Sequence, residues 1–248
     1  MLTVDFERLG LEPGDRVIDM GCGAGRHAFE MYRRGADVVA FDQDADELAG
    51  VLELFGAMKE AGEVPEGAEA DIKEGDALSL PFADGEFDGA LSSFVFQLVA
   101  NRARALREAR RVLKPGGILS YVTWLDDERV FTPDAIFDEV LDGLDIEPRG
   151  ADGRSGDIPS VERAAGELRR AGFSNVSARG SVLEHHFPVD HYLAFLTEFD
   201  EETLFAELEP DVRERVVTTL RERLGALSPD QMTMRFPIVF ASGRRSRA

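Results

Sequence analysis

Val17-Ile18-Asp19-Met20-Gly21-Cys22-Gly23-Ala24-Gly25 is the stretch that decides how this chain is read. An apolar run ends in an acid, three glycines follow on alternate positions, and an amphipathic segment, 26–34, comes directly behind. A strand that turns at once into a helix needs glycine where a side chain would clash or where φ must be positive. The N–H groups at such a helix start are expected to hold a polar or anionic ligand against the backbone. The spacing selects among ligands. A dinucleotide fingerprint places its third glycine three residues after the second, and here that position is Arg26. A nicotinamide-dependent oxidoreductase is disfavoured on that ground.

Outward from this turn, strand-like and helix-like stretches alternate, the pattern of a parallel sheet with helices on both faces. Strands are expected at 17–20, at 37–41 ending on Asp42, near 70–74, and at 87–92, 118–123, 176–185 and 236–241. Helices are expected at 26–34, 46–61, 100–113 and 161–171, with two more within 189–227. Leu48, Val51, Leu52, Phe55 and Met58 mark one face of the second helix. Lys114-Pro115-Gly116-Gly117 reads as the stop before strand five. The expected fold class is α/β: a doubly wound, Rossmann-like, mostly parallel seven-stranded sheet in a single domain over 1–248. Helical insertions at about 125–159 and 186–232 follow strands five and six. The carboxyl edge of such a sheet carries the ligand crevice, so these insertions are candidate substrate lids. They are equally read as decoration that enlarges the core.

The chain has 248 residues and a formal charge of −20, with 48 acids against 28 lysines and arginines. Fifteen acids face two lysines between Asp42 and Asp88, and only the tail with Arg244, Arg245 and Arg247 reads as locally basic. This balance argues against a nucleic-acid substrate, because phosphate backbones need a basic surface. No apolar run approaches the roughly 18 residues of a membrane span. Without a charged-then-apolar leader, a cytoplasmic location is expected. Cys22 is the single cysteine, which excludes an internal disulfide framework and a cysteine-based zinc site. It reads as a small residue that fits the turn rather than a nucleophile. No spacing of histidines and carboxylates indicates a metal site.

Asp19 with Gly21, Gly23 and Gly25 resembles motif I of class I S-adenosylmethionine-dependent methyltransferases. Further matches follow in register. Asp42 closes strand two, where an acid accepts hydrogen bonds from both ribose hydroxyls; Asp44 suits the cap of the next helix better. Gly75-Asp76-Ala77 resembles the family's Gly-Asp-Ala segment, which implies that Asp76 and the Ala77 N–H read the adenine edge. Leu80 to Asp88, then Ser92-Ser93-Phe94-Val95-Phe96-Gln97, look like the corresponding stretch of ubiquinone/menaquinone-biosynthesis-like methyltransferases (methyltransferase type 11). That resemblance implies methionine contacts near Ser92 and an acceptor pocket walled by Phe94, Phe96, Gln97 and Trp124. The helix-and-stop at 107–117, Thr123-Trp124 and Phe236-Pro237 are further family-like features. The implied cofactor is S-adenosylmethionine, with S-adenosylhomocysteine as product, and the implied activity is methyl transfer to a small-molecule acceptor.

The departures are informative. The strand-four end lacks the Asn/Asp-Pro-Pro-Tyr/Phe motif of amino-group methylation, and the two cysteines of cytosine-carbon methylation are absent. The N-terminal helix that covers the cofactor in relatives is expected to be missing or very short. Displacement on a carbon activated by positive sulfur asks mainly for positioning and exclusion of water. If the acceptor must lose a proton, His185 or His186 at the end of strand six is the candidate base, while His27 reads as structural. The aromatics Phe187, Tyr192, Phe195, Phe199 and Phe205 recur on what would be one apolar side of a lid. The alternatives are a non-catalytic S-adenosylmethionine-binding module and a methyltransferase for a macromolecule. The acceptor atom and the oligomeric state are not legible.

Overall fold

The structure, a computed structural model, describes residues 6–64, 67–146 and 155–247. After a short helix α1 (Phe6–Leu9), strand and helix alternate through β1 (Arg16–Met20), α2 (Arg26–Arg33), β2 (Asp37–Asp42), α3 (Ala45–Glu60) and β3 (Asp71–Glu74). Next come β4 (Phe87–Ser93), α4 (Arg102–Val112), β5 (Leu113–Trp124), α5 (Thr132–Asp142), α6 (Val161–Arg170) and β6 (Phe173–His186). The chain closes with α7 (Val189–Phe195), a π-helical turn (Leu196–Asp200), α8 (Glu202–Glu207), α9 (Pro210–Gly225) and β7 (Thr233–Arg245).

The strands form one seven-stranded sheet in the order β3-β2-β1-β4-β5-β7-β6. The first five pair in parallel, and β7 runs antiparallel to β5, Trp124 lying opposite Ile238. The order reverses between β1 and β4, and a crevice opens at such a switch point, outside the carboxyl ends of the strands. Of the parallel strands, β1, β2, β4 and β5 are mostly buried, as their apolar runs require, while β3 at the edge is largely exposed. Ile18, Met20, Val39 and Phe41 feed one core cluster with α4 and α6. Val17, Val38 and Ala40 feed another with α2 and α3.

Two compact units result. One, the sheet unit, comprises 6–126, 155–181 and 238–247 among the described residues; the other, the helical unit, comprises 127–146 and 182–237. The two insertions therefore join as one body with its own core. Phe131, Phe137, Tyr192, Phe205, Leu220 and Leu224 are buried there together.

Four details differ from the sequence expectation. β5 begins at Leu113 rather than 118: a register shift between Phe87 and Gly89 lets 113–117 continue the strand instead of merely stopping α4. β7 runs several residues longer at both ends, and β6 starts three residues earlier and ends one later. The segment 189–227 holds three helices and a π turn, because helix-breaking proline reappears at Pro210 and opens α9 there. The aromatics assigned to a lid face are used inside the helical unit: Tyr192 and Phe205 are buried, and Phe187 and Phe195 pack against them. The side chain of Phe199 lies outside the described residues.

Candidate active site

The carboxyl ends of β1, β2, β3, β4 and β5 bring Asp19, the glycine turn, Asp42, Asp76, Ser92, Phe94 and Trp124 to one edge of the sheet unit. The glycines earn their places in different ways. All three have positive φ, 71°, 49° and 82° for Gly21, Gly23 and Gly25. A Cβ on Gly21 would stand 2.2 Å from Val95 Cγ2, and one on Gly25 would stand 3.0 Å from Val51 Cγ2. A Cβ on Gly23 would meet only the Glu47 carboxylate, at 3.6 Å. Gly21 and Gly25 thus let the turn pack against the protein itself, while Gly23 leaves room beside it.

The turn's amides behave otherwise than expected. Gly21 and Cys22 donate to the Phe41 carbonyl at 2.7 and 3.0 Å, and Gly25 donates to the Cys22 carbonyl at 3.0 Å. Gly23 donates to Asp42 Oδ2 at 2.9 Å. These four N–H groups are satisfied internally and do not wait for an anion. Asp42 Oδ1 also accepts from the Asp44 N–H at 3.1 Å. A carboxylate offers about four lone-pair positions, so Asp42 anchors the turn and keeps capacity for two further donors. Asp44 caps α3 by accepting from the Asp46 N–H at 2.9 Å.

Asp19 is the outlier. It is 1% exposed, and neither carboxylate oxygen has a hydrogen-bond partner. Burial, opposed by the Ala28 N–H, which stands close without completing a hydrogen bond, and reinforced by the Asp42 charge, pushes its carboxyl up to about 7. An unpaired buried acid costs stability, and a cationic group brought into the crevice would satisfy it. The neighbouring Cys22 thiol is pushed up by burial and by Asp19 and Asp42, so it stays a thiol. His27 is lowered to about 4, chiefly by burial, and stays neutral.

Asp76 is exposed and closes an Asx turn, its Oδ1 accepting from the Leu78 N–H at 2.8 Å. Ser92 is buried, and its hydroxyl donates to the Met20 carbonyl at 3.0 Å, tying β4 to β1. Phe94 has φ 55°, a conformation that non-glycine residues rarely hold. Its N–H donates to the Val122 carbonyl at 2.9 Å, and its ring lies 4.4 Å from that of Trp124.

Two residues expected in the pocket wall serve elsewhere. Phe96 is 1% exposed and packs edge-on against Tyr121 in the core, 4.9 Å between ring centres. Gln97 is a buried clamp: its Nε2 donates to the Phe94 carbonyl at 2.7 Å, and its Oε1 accepts from Thr123 Oγ1 at 2.5 Å. It thereby holds the strained Phe94 and the residue before Trp124 in one arrangement. The family resemblance put 94 and 96 together in the pocket wall; the positive φ at Phe94 breaks the strand there and separates them. His185 and His186 belong to the helical unit. His185 stands edge-on to Phe187, 4.3 Å between ring centres, and His186 Nδ1 lies 3.2 Å from Thr233 Oγ1.

Sequence reading missed Arg111. From α4 it donates to the carbonyls of Leu80 and Phe82 and to the carboxylates of Asp84 and Glu108. It fixes the 80–84 segment behind Asp76; its signal was an arginine on the polar face of an otherwise ordinary helix.

With this geometry in view, the fold is that of the class I methyltransferases. Residues 18–121 match the family described as "Methyltransferase domain". Over 109 residues the chain is 40% identical to a 2-phytyl-1,4-naphtoquinone methyltransferase of Synechocystis, covering 43% of this chain and 44% of that protein. It spans less than half the length of the curated relatives it matches first. Among solved structures, Haemonchus contortus phosphoethanolamine N-methyltransferase 2 with S-adenosylhomocysteine superposes with a TM-score of 0.58 at 19% identity, covering 97% of this chain and 51% of that one. The cyclase SpnF gives 0.58 at 21% identity, covering 98% and 78%. One fold thus carries more than one chemistry.

Proposed function

We propose that this chain binds S-adenosylmethionine at the β1–β2 edge and transfers its methyl group to a small organic acceptor of the quinol class. The observation that carries the reading is Asp19, a buried carboxylate without a partner at the start of the glycine turn. The cofactor is cationic at its ammonium and sulfonium, which suits that carboxylate. Asp42 would take the ribose hydroxyls with its two remaining positions, Asp76 and the Ala77 N–H the adenine edge, and the backbone at Ser92 the methionine portion. S-adenosylmethionine supplies a methyl group already activated by positive sulfur, so the chain's work is to orient and to keep water out. Phe94 and Trp124, held by Gln97, would form the apolar wall against which a flat acceptor rests. The quinol class is supported by the names of the relatives matched over 18–121.

The helical unit is proposed to govern the acceptor, because its first segment begins just after Trp124 in the chain and its second begins within β6. His185 and His186 are its candidates for taking the acceptor's hydroxyl proton. No helix among the described residues is long and apolar enough to cross a membrane. With the acidic balance of the chain, this supports a cytoplasmic enzyme acting on small molecules rather than nucleic acid.

The test is transfer of labelled methyl from S-adenosylmethionine to a demethylated naphthoquinol kept reduced. Label in the extracted quinol, lost in His186→Ala if that residue is the base, is expected. Binding of the cofactor without transfer to any quinol or phenol offered would overturn the acceptor class. Hydrogen exchange with cofactor product and acceptor bound together should protect 186–232; unchanged protection would contradict the role of the helical unit.

A further inference from the structure

The tail is not the only basic part of this acidic chain. α4 carries five arginines and one glutamate, and α6 carries three arginines and two glutamates. In a chain where acids outnumber bases 48 to 28, enough carboxylates exist to neutralise every cation, yet these two helices gather arginine. Between them, within the sheet unit, lies a cavity of about 400 Å3 lined by Arg102, Arg107, Arg163 and Arg170, with Glu167 as its one acid.

The four arginines are not equivalent. Arg102 is buried, pairs with Glu167 Oε2 at 3.0 Å and donates to the Gly156 carbonyl at 2.9 Å. Arg163 pairs with the other oxygen of the same Glu167, at 3.0 Å. One carboxylate is thus shared by two guanidinium groups, and Arg107 and Arg170 add charge beyond it. Gly166 lets Arg170 fold back along its own helix: a Cβ there would stand 3.2 Å from Arg170 Nη1. Beneath the groove the Tyr121 hydroxyl is buried without a partner, near enough to Glu167 and Arg102 to feel both charges. The cavity carries three positive charges in excess (four arginines less one glutamate), and its volume falls within the range of small-molecule sites.

We propose that the groove between α4 and α6 is a second binding site, separate from the glycine turn, for a small molecule bearing a phosphate or diphosphate group. Guanidinium forks match phosphate oxygens bidentately, and a concave site with a net excess of three charges selects a multiply charged anion over a carboxylate. Arg107 and Arg170 hold the anion; the Arg102–Glu167 pair fixes the groove's shape. The site does not depend on the methyl-transfer reading.

Pyrophosphate is the probe, titrated calorimetrically into the whole chain at constant ionic strength. One saturable site is expected, weakened at least tenfold in the double variant Arg107→Gln/Arg170→Gln. Both side chains are exposed, so the variant should fold, and an unchanged thermal midpoint without ligand checks this. Arg213→Gln, an exposed arginine on α9, should bind like the parent, and saturating S-adenosylhomocysteine should leave the affinity unchanged. Absence of saturation, equal weakening in Arg213→Gln, or displacement by S-adenosylhomocysteine would overturn the proposal. Binding to phosphatidylglycerol vesicles but not to soluble pyrophosphate would also overturn it, by assigning the face to a membrane.

Discussion

Two buried tyrosines set the two units apart. In the sheet unit the Tyr121 hydroxyl has no partner, and Asp19 is buried there with both oxygens unpaired. In the helical unit the Tyr192 hydroxyl donates to Asp134 Oδ1 at 2.6 Å, and the aromatic rings around it pack on one another. Among the described residues, the buried side-chain oxygens without a hydrogen bond all lie in the sheet unit. Unsatisfied polar groups cost stability, and they persist where a ligand is to complete them. The sheet unit therefore keeps its chemistry open, and the helical unit spends its side chains on its own core.

That contrast is sharpest in the response to core truncation. Phe205 is fully buried and stacked on Phe137, so Phe205→Ala should destabilise the helical unit by about 3–5 kcal/mol. Chemical denaturation would read the loss as an early separate transition. Affinity for S-adenosylhomocysteine should survive while turnover falls; a parallel loss of both would merge the two roles that the comparison separates.

Within the glycine turn, Gly21→Ala should cost roughly 2–5 kcal/mol, combining overpacking against Val95 with a left-handed φ. Gly23→Ala should cost only about 1–2 kcal/mol, the conformational part alone. Equal losses in urea denaturation would mean that the turn is not packed as described.

Asp42→Ala should weaken cofactor binding by about 1.5–3 kcal/mol, the worth of hydrogen bonds to a charged group. Asp44→Ala should remove only a helix cap, about 1 kcal/mol of stability, and leave binding alone. The reverse outcome would shift the ribose contact by two residues.

The smallest effect is expected at Gln97. Gln97→Leu leaves the Phe94 carbonyl and the Thr123 hydroxyl without their clamp, and should raise the acceptor KM several-fold, about 1 kcal/mol, with cofactor affinity unchanged. Trp124 is the only tryptophan in the chain, so its fluorescence reports the loosened platform directly. A wild-type spectrum would reduce Gln97 to a packing residue.

The sheet was legible because its signals are local. Three glycines, an acid at the end of β2 and a proline-glycine break each dictate backbone geometry on the spot, and alternating strands and helices supply the topology. Of the candidate site, what was legible is position: Asp19 and Asp42 stand at the expected strand ends. What was not legible depends on distant partners. Nothing in Phe94-Val95-Phe96 announces the positive φ at Phe94, which accompanies distant contacts: Val95 against Gly21, and Gln97 on the Phe94 carbonyl. Likewise, the periodic aromatics after β6 told of an apolar face but not of its partner, which lies some 60 residues earlier around Phe131 and Phe137.

The most direct measurement is calorimetric titration with S-adenosylhomocysteine across pH, on the parent and on Asp19→Asn. In the folded chain Asp19 titrates near 7, above its ordinary 3.8, so the folded state holds a proton that the unfolded chain has already released. Its contribution to stability is full below about pH 4 and declines as pH rises to about 7. Binding of the ligand's ammonium group calls for the carboxylate. Affinity should therefore rise towards pH 7 with release of a proton, sit in the micromolar range expected of a metabolite site, and far exceed that for NAD. Asp19→Asn should bind weakly with no such pH dependence. Tighter binding of NAD, or a pH profile identical in parent and variant, would contradict the assignment of this crevice.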